Sequence, residues 1–595
     1  MLLIFVLVFL VILLFEPLLK KYMPQQPAAP AEKTQTQAPA QTPPQTAAQA
    51  QTPPEHPVSK GKASAAAAKS AKEKKAQPVA NKKATSESET VVQNNYYQIT
   101  FTNRGAVAKS WKLIEKGNGK PKYDDEKGNP LDLVNTAAAA KYGYPLSLWT
   151  YDAALRDKLN SVLYVVTAQH SGGQITELTF EYSDADISVR KVFRFDKTYV
   201  MQVESSVLSK GATVAAYPAW PAGFGDQYNN VGYHAGQIIY QDNNNIDQIA
   251  LKKVSGGNTL HGTYDWAGVS DAYFAAAFLP KDPQNVAVIT LRNPLQVPKD
   301  PNTPNETEAV DVLGVAVGNP SGPTVERVFA GPKSLDTLEA IPVPTISGDS
   351  PDLRGVLSFG FWGSFARALF IWLRWTYQHW VPNWGWAIVI QTFIIAVVLF
   401  PLRFSQMKSA LKMQKVAPQI KSIQEKYKKY SMRDPRKQEM NAEIGEIYKR
   451  EGVNPVGGCL PMIIPIILIW PYYRMLDLVI DLRHAHWLWI HDLSSRDPYF
   501  LLPIFLVLSQ LVTQRMVPQV GMDPAQQKMM NWMMPLMMGF FFFNLAAGLN
   551  LYYVVYNLFS MVQQSVINRT GLGREMREMA QKRARKQAGK GKVKT

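Results

Sequence analysis

Hydrophobic residues change their spacing three times along this chain, and each change marks a different kind of structure. From Met1 to Phe15 almost every position is apolar, and the run stops at Glu16, Lys20 and Lys21. It is short for a membrane span and fits either a cleaved signal or an uncleaved anchor. No basic residue precedes it and no small-x-small site directly follows it, which favours an anchor over residues 1–19. Between residues 20 and 90 large apolar side chains are almost absent, and Ala, Pro, Gln, Thr and Lys dominate. A segment with so little to bury predicts a disordered linker.

Short alternating runs follow, including Tyr96 to Phe101, Val162 to Thr167, Thr176 to Tyr182, Ile187 to Phe195, Val200 to Leu208 and Val286 to Leu291. Val, Tyr, Phe and Thr fill them, and Gly, Asn, Asp and Pro separate them. That period of two predicts an all-β sandwich over residues 91–345.

The last third is different again, with five long apolar segments at about 383–402, 456–476, 500–517, 530–545 and 549–567. Residues 381–568 therefore predict a five-helix membrane core. Leu353 to Trp380 is also apolar and aromatic, but Arg367 and Arg374 interrupt it. With the N-terminal run crossing outward, six crossings place both remaining basic stretches inside; a seventh would place them outside. The positive-inside rule thus favours an interfacial amphipathic helix over 353–380, with Trp362, Trp372 and Trp375 at headgroup level.

Charge sharpens this picture. The 595 residues carry a net charge of +17 at a mean hydropathy of −0.15. Lys and Arg are dense in the linker, from Arg403 to Arg450, and in the tail over 569–595. Such surfaces answer to nucleic acid, a ribosome or anionic lipid. The lone Cys459 excludes an intramolecular disulfide and a cysteine-built metal cluster.

Within the hairpin 403–452 two amphipathic helices are predicted, separated at Asp434-Pro435. Phe404, Met407, Leu411, Ile420, Ile423 and Tyr427 form the apolar stripe of the first; Met440, Ile444, Ile447 and Tyr448 form that of the second. The hairpin is either an orientation signal lying on the membrane or a docking and gating element, and its structured length favours the second. Polar residues recur inside the spans: Gln391 and Thr392; Ser509, Gln510, Thr513 and Gln514; Tyr552, Tyr553, Asn557 and Ser560. They serve as interhelical glue or line a wet cavity. Met529, Met530, Met533, Met534, Met537 and Met538 form a stripe that suits either lipid packing or a slide for varied apolar segments. His484, His486 and His491 lack carboxylates at metal-binding spacing and read as interfacial loop residues. No P-loop, HExxH or GxSxG pattern occurs, so the chain has neither a nucleotide motor nor a hydrolytic site to recommend it as an enzyme.

Four motifs carry a resemblance. They are Asn383-Trp384-Gly385-Trp386 leading to Pro401-Leu402; Val453-Asn454-Pro455-Val456-Gly457-Gly458-Cys459; Leu488-Trp489-Ile490-His491-Asp492-Leu493 with Asp497-Pro498-Tyr499; and Asp523-Pro524-Ala525-Gln526-Gln527-Lys528. Gly548 to Asn557 and Phe329 to Lys333 agree with them. The chain resembles the YidC-type membrane protein insertases in their Gram-negative form. The resemblance implies a multi-pass protein of the bacterial inner membrane with its large domain in the periplasm and its C-terminus in the cytoplasm. It also implies a chaperone and insertase for nascent membrane proteins, acting alone or with the Sec translocon. No nucleotide, cofactor, metal or small-molecule substrate is expected, and the lipid bilayer and the ribosome are expected partners.

The implied site is a hydrophilic groove open to cytoplasm and lipid, assigned to Gln391, Thr392, Ala396, Thr513, Tyr552, Tyr553 and Asn557. The family usually carries an arginine where this chain has Ala396. Arg403, seven residues on and about 10 Å nearer the cytoplasm, and Arg474 are the candidates for a displaced charge. The alternatives are a positive-inside flank for Arg403 and, for Arg474, an outer-end residue paired with Asp477. Lys426, Lys428, Lys429, Arg583, Arg585 and Lys586 are the expected contacts to ribosome or lipid. Two other classes of function compete. A small-solute transporter predicts internal repeats, and none is clear. An anchored envelope-assembly protein predicts that activity resides in the β-domain, so deleting it discriminates.

Overall fold

Alternation of buried and exposed positions builds the β-domain strand by strand. In Gln174–Ser183 the buried apolar side chains are Leu178, Phe180 and Tyr182, so one face points to the core. The hairpin from Val165–Ser171 into this strand turns on Gly172 and Gly173, at φ 59° and 80°. Two consecutive positive φ values suit glycine and match the twist of the flanking strands. The computed structural model describes residues 81–117, 120–125, 127–227, 233–242, 245–299, 305–343, 352–357, 363–430, 434–453, 470–516, 524–579 and 581, with backbone only for 524–530. The expected N-terminal anchor, most of the linker, the Asn454–Cys459 motif, most of the 456–476 span, Trp362, and Arg583, Arg585 and Lys586 lie outside the described residues.

All the strand pairs are antiparallel. In spatial order the large sheet runs Asn245–Ala250, Gln237–Asp242, Tyr264–Ser270, Phe274–Pro280, Thr324–Pro332, Val200–Ser209, Ile187–Phe195, Gln174–Ser183 and Val165–Ser171, with Ala212–Val214 paired to Val200–Ser209. A second sheet runs Thr259–Gly262, Val286–Pro298, Thr307–Gly318, Tyr217–Trp220 and Ser147–Trp149. Strands Glu89–Gln93, Tyr97–Thr102 and Val107–Leu113 make a third. Phe274–Pro280 is buried at every position, as expected for a strand covered on both faces. The sandwich expected from the sequence is present, and pairing begins earlier than expected, where Lys82 N–H donates to Ser183 O.

Helices α1 (Thr136–Tyr142), α2 (Ala153–Ser161) and α3 (Leu335–Glu339) belong to the β-domain. Six more follow: α4 (Gly363–His379), α5 (Trp384–Lys426), α6 (Arg436–Arg450), α7 (Leu501–Met516), α8 (Pro524–Phe542) and α9 (Ala547–Arg569). A further helical stretch covers 470–478. Among the described residues α5 alone is both long and apolar enough to cross a membrane by length and composition.

One boundary differs from expectation. The first span and the first hairpin helix are a single 43-residue helix, α5, with Pro401 and Pro418 inside it. Proline lacks an N–H and disfavours a helix interior, so Pro401 reads in sequence as a stop; here the helix continues through it. The far part of α5 meets α6 as expected, through Val416, Ile420, Ile423, Ile447 and Tyr448. Met407 and Leu411 instead pack on Ile567 and on Met576, which belongs to a helical stretch at 571–579. Lys415 and Glu575 add an ion pair at 2.6 Å. The start of the basic tail is thus folded against α5.

The β-domain and the helices share a contact surface. Arg374 of α4 makes two bonds to Asp336 of α3, at 2.6 and 2.5 Å, a fork-to-carboxylate geometry that fixes orientation as well as distance. Lys333, buried at the end of its strand, donates to Asp271 O at 2.7 Å. Burial pushes its ammonium down to about 8.

Candidate functional site

The site lies where α5, α7, α9 and the 470–478 stretch meet. The start of α5 is set by Asn383, whose Oδ1 accepts from Trp386 N–H at 3.1 Å while its Nδ2 donates to His486 O at 2.9 Å. Two residues later Gly385 leaves room for the Trp487 ring: a Cβ there would stand 2.2 Å from Trp487 Cδ1. The first motif and the Trp487–Leu493 loop are therefore the two halves of one joint.

Nearly two turns deeper, Gln391 and Thr392 are fully buried. Gln391 Nε2 donates to Leu369 O of α4 at 3.0 Å, and Tyr472 OH donates to Gln391 Oε1 at 2.9 Å. Thr392 Oγ1 donates to Ile388 O at 2.6 Å. Tyr472 stacks on Tyr552 at 4.1 Å between centroids, with 23° between planes. These groups form a satisfied polar plug near the β-domain end of the bundle. Tyr553 takes a different direction and meets Phe542 of α8 edge-on at 4.5 Å.

Thr513 and Asn557 form a second set. Asn557 Nδ2 of α9 donates to Ser509 Oγ of α7 at 3.2 Å and ties the two helices, while Thr513 Oγ1 donates to Ser509 O at 2.8 Å within α7. A bond between helices such as that of Asn557 is what the glue reading expects.

Ala396 is nearly buried, and its carbonyl accepts from Gln563 Nε2 of α9 at 2.7 Å. Gln563 Oε1 in turn accepts from Arg403 Nη1 at 3.2 Å. Arg403 is half-buried, and among the described residues no carboxylate pairs with it. Arg474 does not join this set. It faces Asp477 at 3.4 Å, one turn on along its own helix, and it is close enough to Lys333 for the two cations to oppose each other. The pairing with Asp477 is the one that the alternative of an outer-end residue calls for.

On α9 the residues Tyr552, Tyr556, Ser560 and Gln563 follow one another at helical spacing. Tyr556 stacks on Tyr552 at 6.2 Å. Tyr472, Tyr556 and Gln563 were missed in sequence. The recurrence from Tyr552 through Gln563 was a usable signal, whereas nothing local distinguishes Tyr472 from its neighbour Tyr473. Around the bundle Met533, Met534, Met537, Phe540 and Phe541 of α8 and Val397 and Val398 of α5 are exposed. On the hairpin Lys426 is taken up by Glu443 at 2.8 Å, while Lys428 and Lys429 are exposed. His486 and His491 lie ring to ring at 5.6 Å and His484 faces Asp124, with no group of three or more metal-ligating side chains among the described residues.

Two family models divide the chain between them: the YidC periplasmic domain matches residues 89–373, and the 60Kd inner membrane protein matches 375–574. The membrane protein insertase YidC of Campylobacter jejuni is 32% identical over 491 residues, covering 80% of this chain and 82% of that protein. The Geobacter metallireducens protein of the same name is 33% identical over 428 residues, covering 69% and 74%. The Wolinella succinogenes protein of that name is 36% identical over 347 residues, and the match spans 56% of this chain and 58% of that protein. Among solved structures, an active YidC insertase with its first transmembrane domain resolved aligns over 82% of this chain and 94% of its own, at 19% identity and a TM-score of 0.32. On the strength of the matched relatives, this chain belongs to the YidC family of membrane protein insertases.

Proposed function

We propose that this protein inserts membrane proteins into the inner membrane by receiving their polar segments between α5 and α9, from the hairpin end. The observation that carries the reading is Arg403, a cation with no carboxylate partner among the described residues, held beside the polar stripe of α9 at the hairpin end of the spans. A polar or acidic tail meets charge and hydrogen-bonding groups there instead of lipid, which lowers the cost of leaving water. The plug of Gln391, Tyr472 and Tyr552 closes the β-domain end. Meanwhile the apolar segment of the substrate moves along the exposed Met and Phe side chains of α8 into the bilayer. Transfer of that apolar surface from water supplies the free energy, so no nucleotide is consumed.

In this reading the chain is multi-pass, with the hairpin and the C-terminus in the cytoplasm and the β-domain in the periplasm. Lys428 and Lys429, with Arg583, Arg585 and Lys586 of the tail, meet a ribosome or anionic lipid through phosphate charge. Chaperoning alone or beside the Sec translocon uses the same groove. The test is insertion of a short two-span protein with an acidic tail into liposomes containing only the purified chain, scored by protease protection. Protection above empty liposomes is expected. None, with a related insertase active in parallel, refutes autonomous insertion.

A further inference from the structure

We propose that Gln563 is a positioning residue that aims Arg403 at the groove and thereby sets the preference for acidic substrate tails. The inference rests on the reading that Arg403 is the groove cation.

Ala396 and Arg403 are seven residues apart on α5, nearly two full turns, so they lie on almost the same face. Gln563 of α9 reaches both. Its Nε2 donates to Ala396 O at 2.7 Å and its Oε1 accepts from Arg403 Nη1 at 3.2 Å. Both ends of the amide are therefore used, and each fixes the other: the bond to a backbone carbonyl settles which way the amide points, and so presents oxygen to the guanidinium. An arginine side chain is long and loses much rotamer freedom when held. Bracing it in advance reduces what a substrate carboxylate must spend on ordering it.

The brace is neutral, and this decides its role. A carboxylate at 563 would hold Arg403 as well, but would cancel its charge. Glutamine orients the guanidinium and leaves the positive charge for the tail. One Arg403 nitrogen is engaged by Gln563, and the guanidinium retains other N–H groups for a bidentate contact.

The test uses the full chain in liposomes with two substrates that differ only in the tail, one acidic and one with its carboxylates replaced by amides. Gln563→Leu should lower insertion of the acidic-tailed substrate about fivefold, the equivalent of roughly one hydrogen bond, and lower that of the neutral-tailed one by a smaller factor. Gln563→Glu, close in size and still able to hold the guanidinium, should lower the acidic-tailed rate at least as far. The double variant Arg403→Ala with Gln563→Leu should be no worse than Arg403→Ala alone, since the two residues act as one unit. An unchanged melting temperature reports that each variant is folded. Equal losses for both tails, or additive losses in the double variant, overturn the positioning role while leaving Arg403 in place. No effect of Arg403→Ala on either tail overturns the groove-cation reading, and this inference falls with it.

Discussion

His484 Nδ1 lies 2.5 Å from Asp124 Oδ1, across 360 residues of chain. Asp124 belongs to the β-domain, and His484 to the loop that follows the 470–478 helix. The histidine holds φ +57°, an uncommon backbone for a residue with a side chain, and Asp492 fixes it by accepting from His484 N–H at 3.0 Å. With Arg374–Asp336, it makes the β-domain a seated part of the molecule. Asp124→Asn should weaken this seat while leaving the helices folded. Hydrogen exchange across residues 482–493 should rise in that variant, and unchanged exchange would mean that the contact orders nothing.

Gly385 offers a sharper test of the joint below it. A methyl group at this position meets the Trp487 ring at 2.2 Å, and a buried ring with close neighbours cannot step aside freely. Gly385→Ala should destabilise the protein by about 1–3 kcal/mol, seen as a lower melting temperature together with altered tryptophan fluorescence. An unchanged melting temperature would show that the loop carrying Trp487 yields at no cost.

Asp497 is 2% exposed, and its carboxylate accepts three bonds. They come from Leu502 N–H at 2.7 Å, Tyr499 N–H at 3.1 Å and Trp489 Nε1–H at 3.1 Å. The first two satisfy donors at the start of α7, and the third pins the Trp489 loop to it. Asp497→Ala should cost about 2 kcal/mol or more, because the donors stay buried without partners. Asp497→Asn, able to accept with one oxygen only, should fall between the two in thermal unfolding.

Lys191 carries a pH dependence. It is fully buried in the sandwich and donates to the carbonyls of Gly105, Ala106 and Leu146. Burial pushes its ammonium down to about 7 from an ordinary 10.5. Between those values the unfolded chain holds a proton that the folded chain lacks, so stability rises with pH across that window and is lowest below it. Lys333 has the same sign over a narrower range. Lys191→Met should flatten the slope between pH 7 and pH 10 by on the order of 1 kcal/mol per pH unit. An identical slope in urea unfolding of the variant and the parent chain would refute this.

What could be read from sequence divides along a physical line. Properties that a segment carries within itself were legible: the alternation that makes Gln174–Ser183 a strand, the stripe that brings Ile423 and Ile447 together, and the spacing of Asp477 from Arg474. Properties that need two distant segments were not. Asn383 and Gly385 were visible as motif residues and Trp487 stood just before another motif, but a sequence cannot say that the glycine exists to seat the tryptophan. Gln563 looks like any surface amide until Ala396 O and Arg403 are both within its reach. The boundary expected between the first span and the hairpin, near 402, is absent for the opposite reason. The local rule at Pro401 disfavours a helix interior, and here packing on both sides, by Phe559 on Phe393 before it and Ile567 near Met407 after it, carries the helix through.

That uninterrupted α5 makes the hairpin and the groove wall one mechanical part. At 43 residues the helix is a rod about 65 Å long, with Arg403 near its middle and Pro401 as its most compliant point. A load applied where Lys428 and Lys429 are displayed acts on a long arm, and its fulcrum is the contact of α5 with α9. Tilting the arm changes the separation of Arg403 from Gln563 before it disturbs the well-bonded plug at Gln391. In the proposed function, docking at the hairpin then acts on the width of the groove through α5 itself, with no signal to be relayed through any other element.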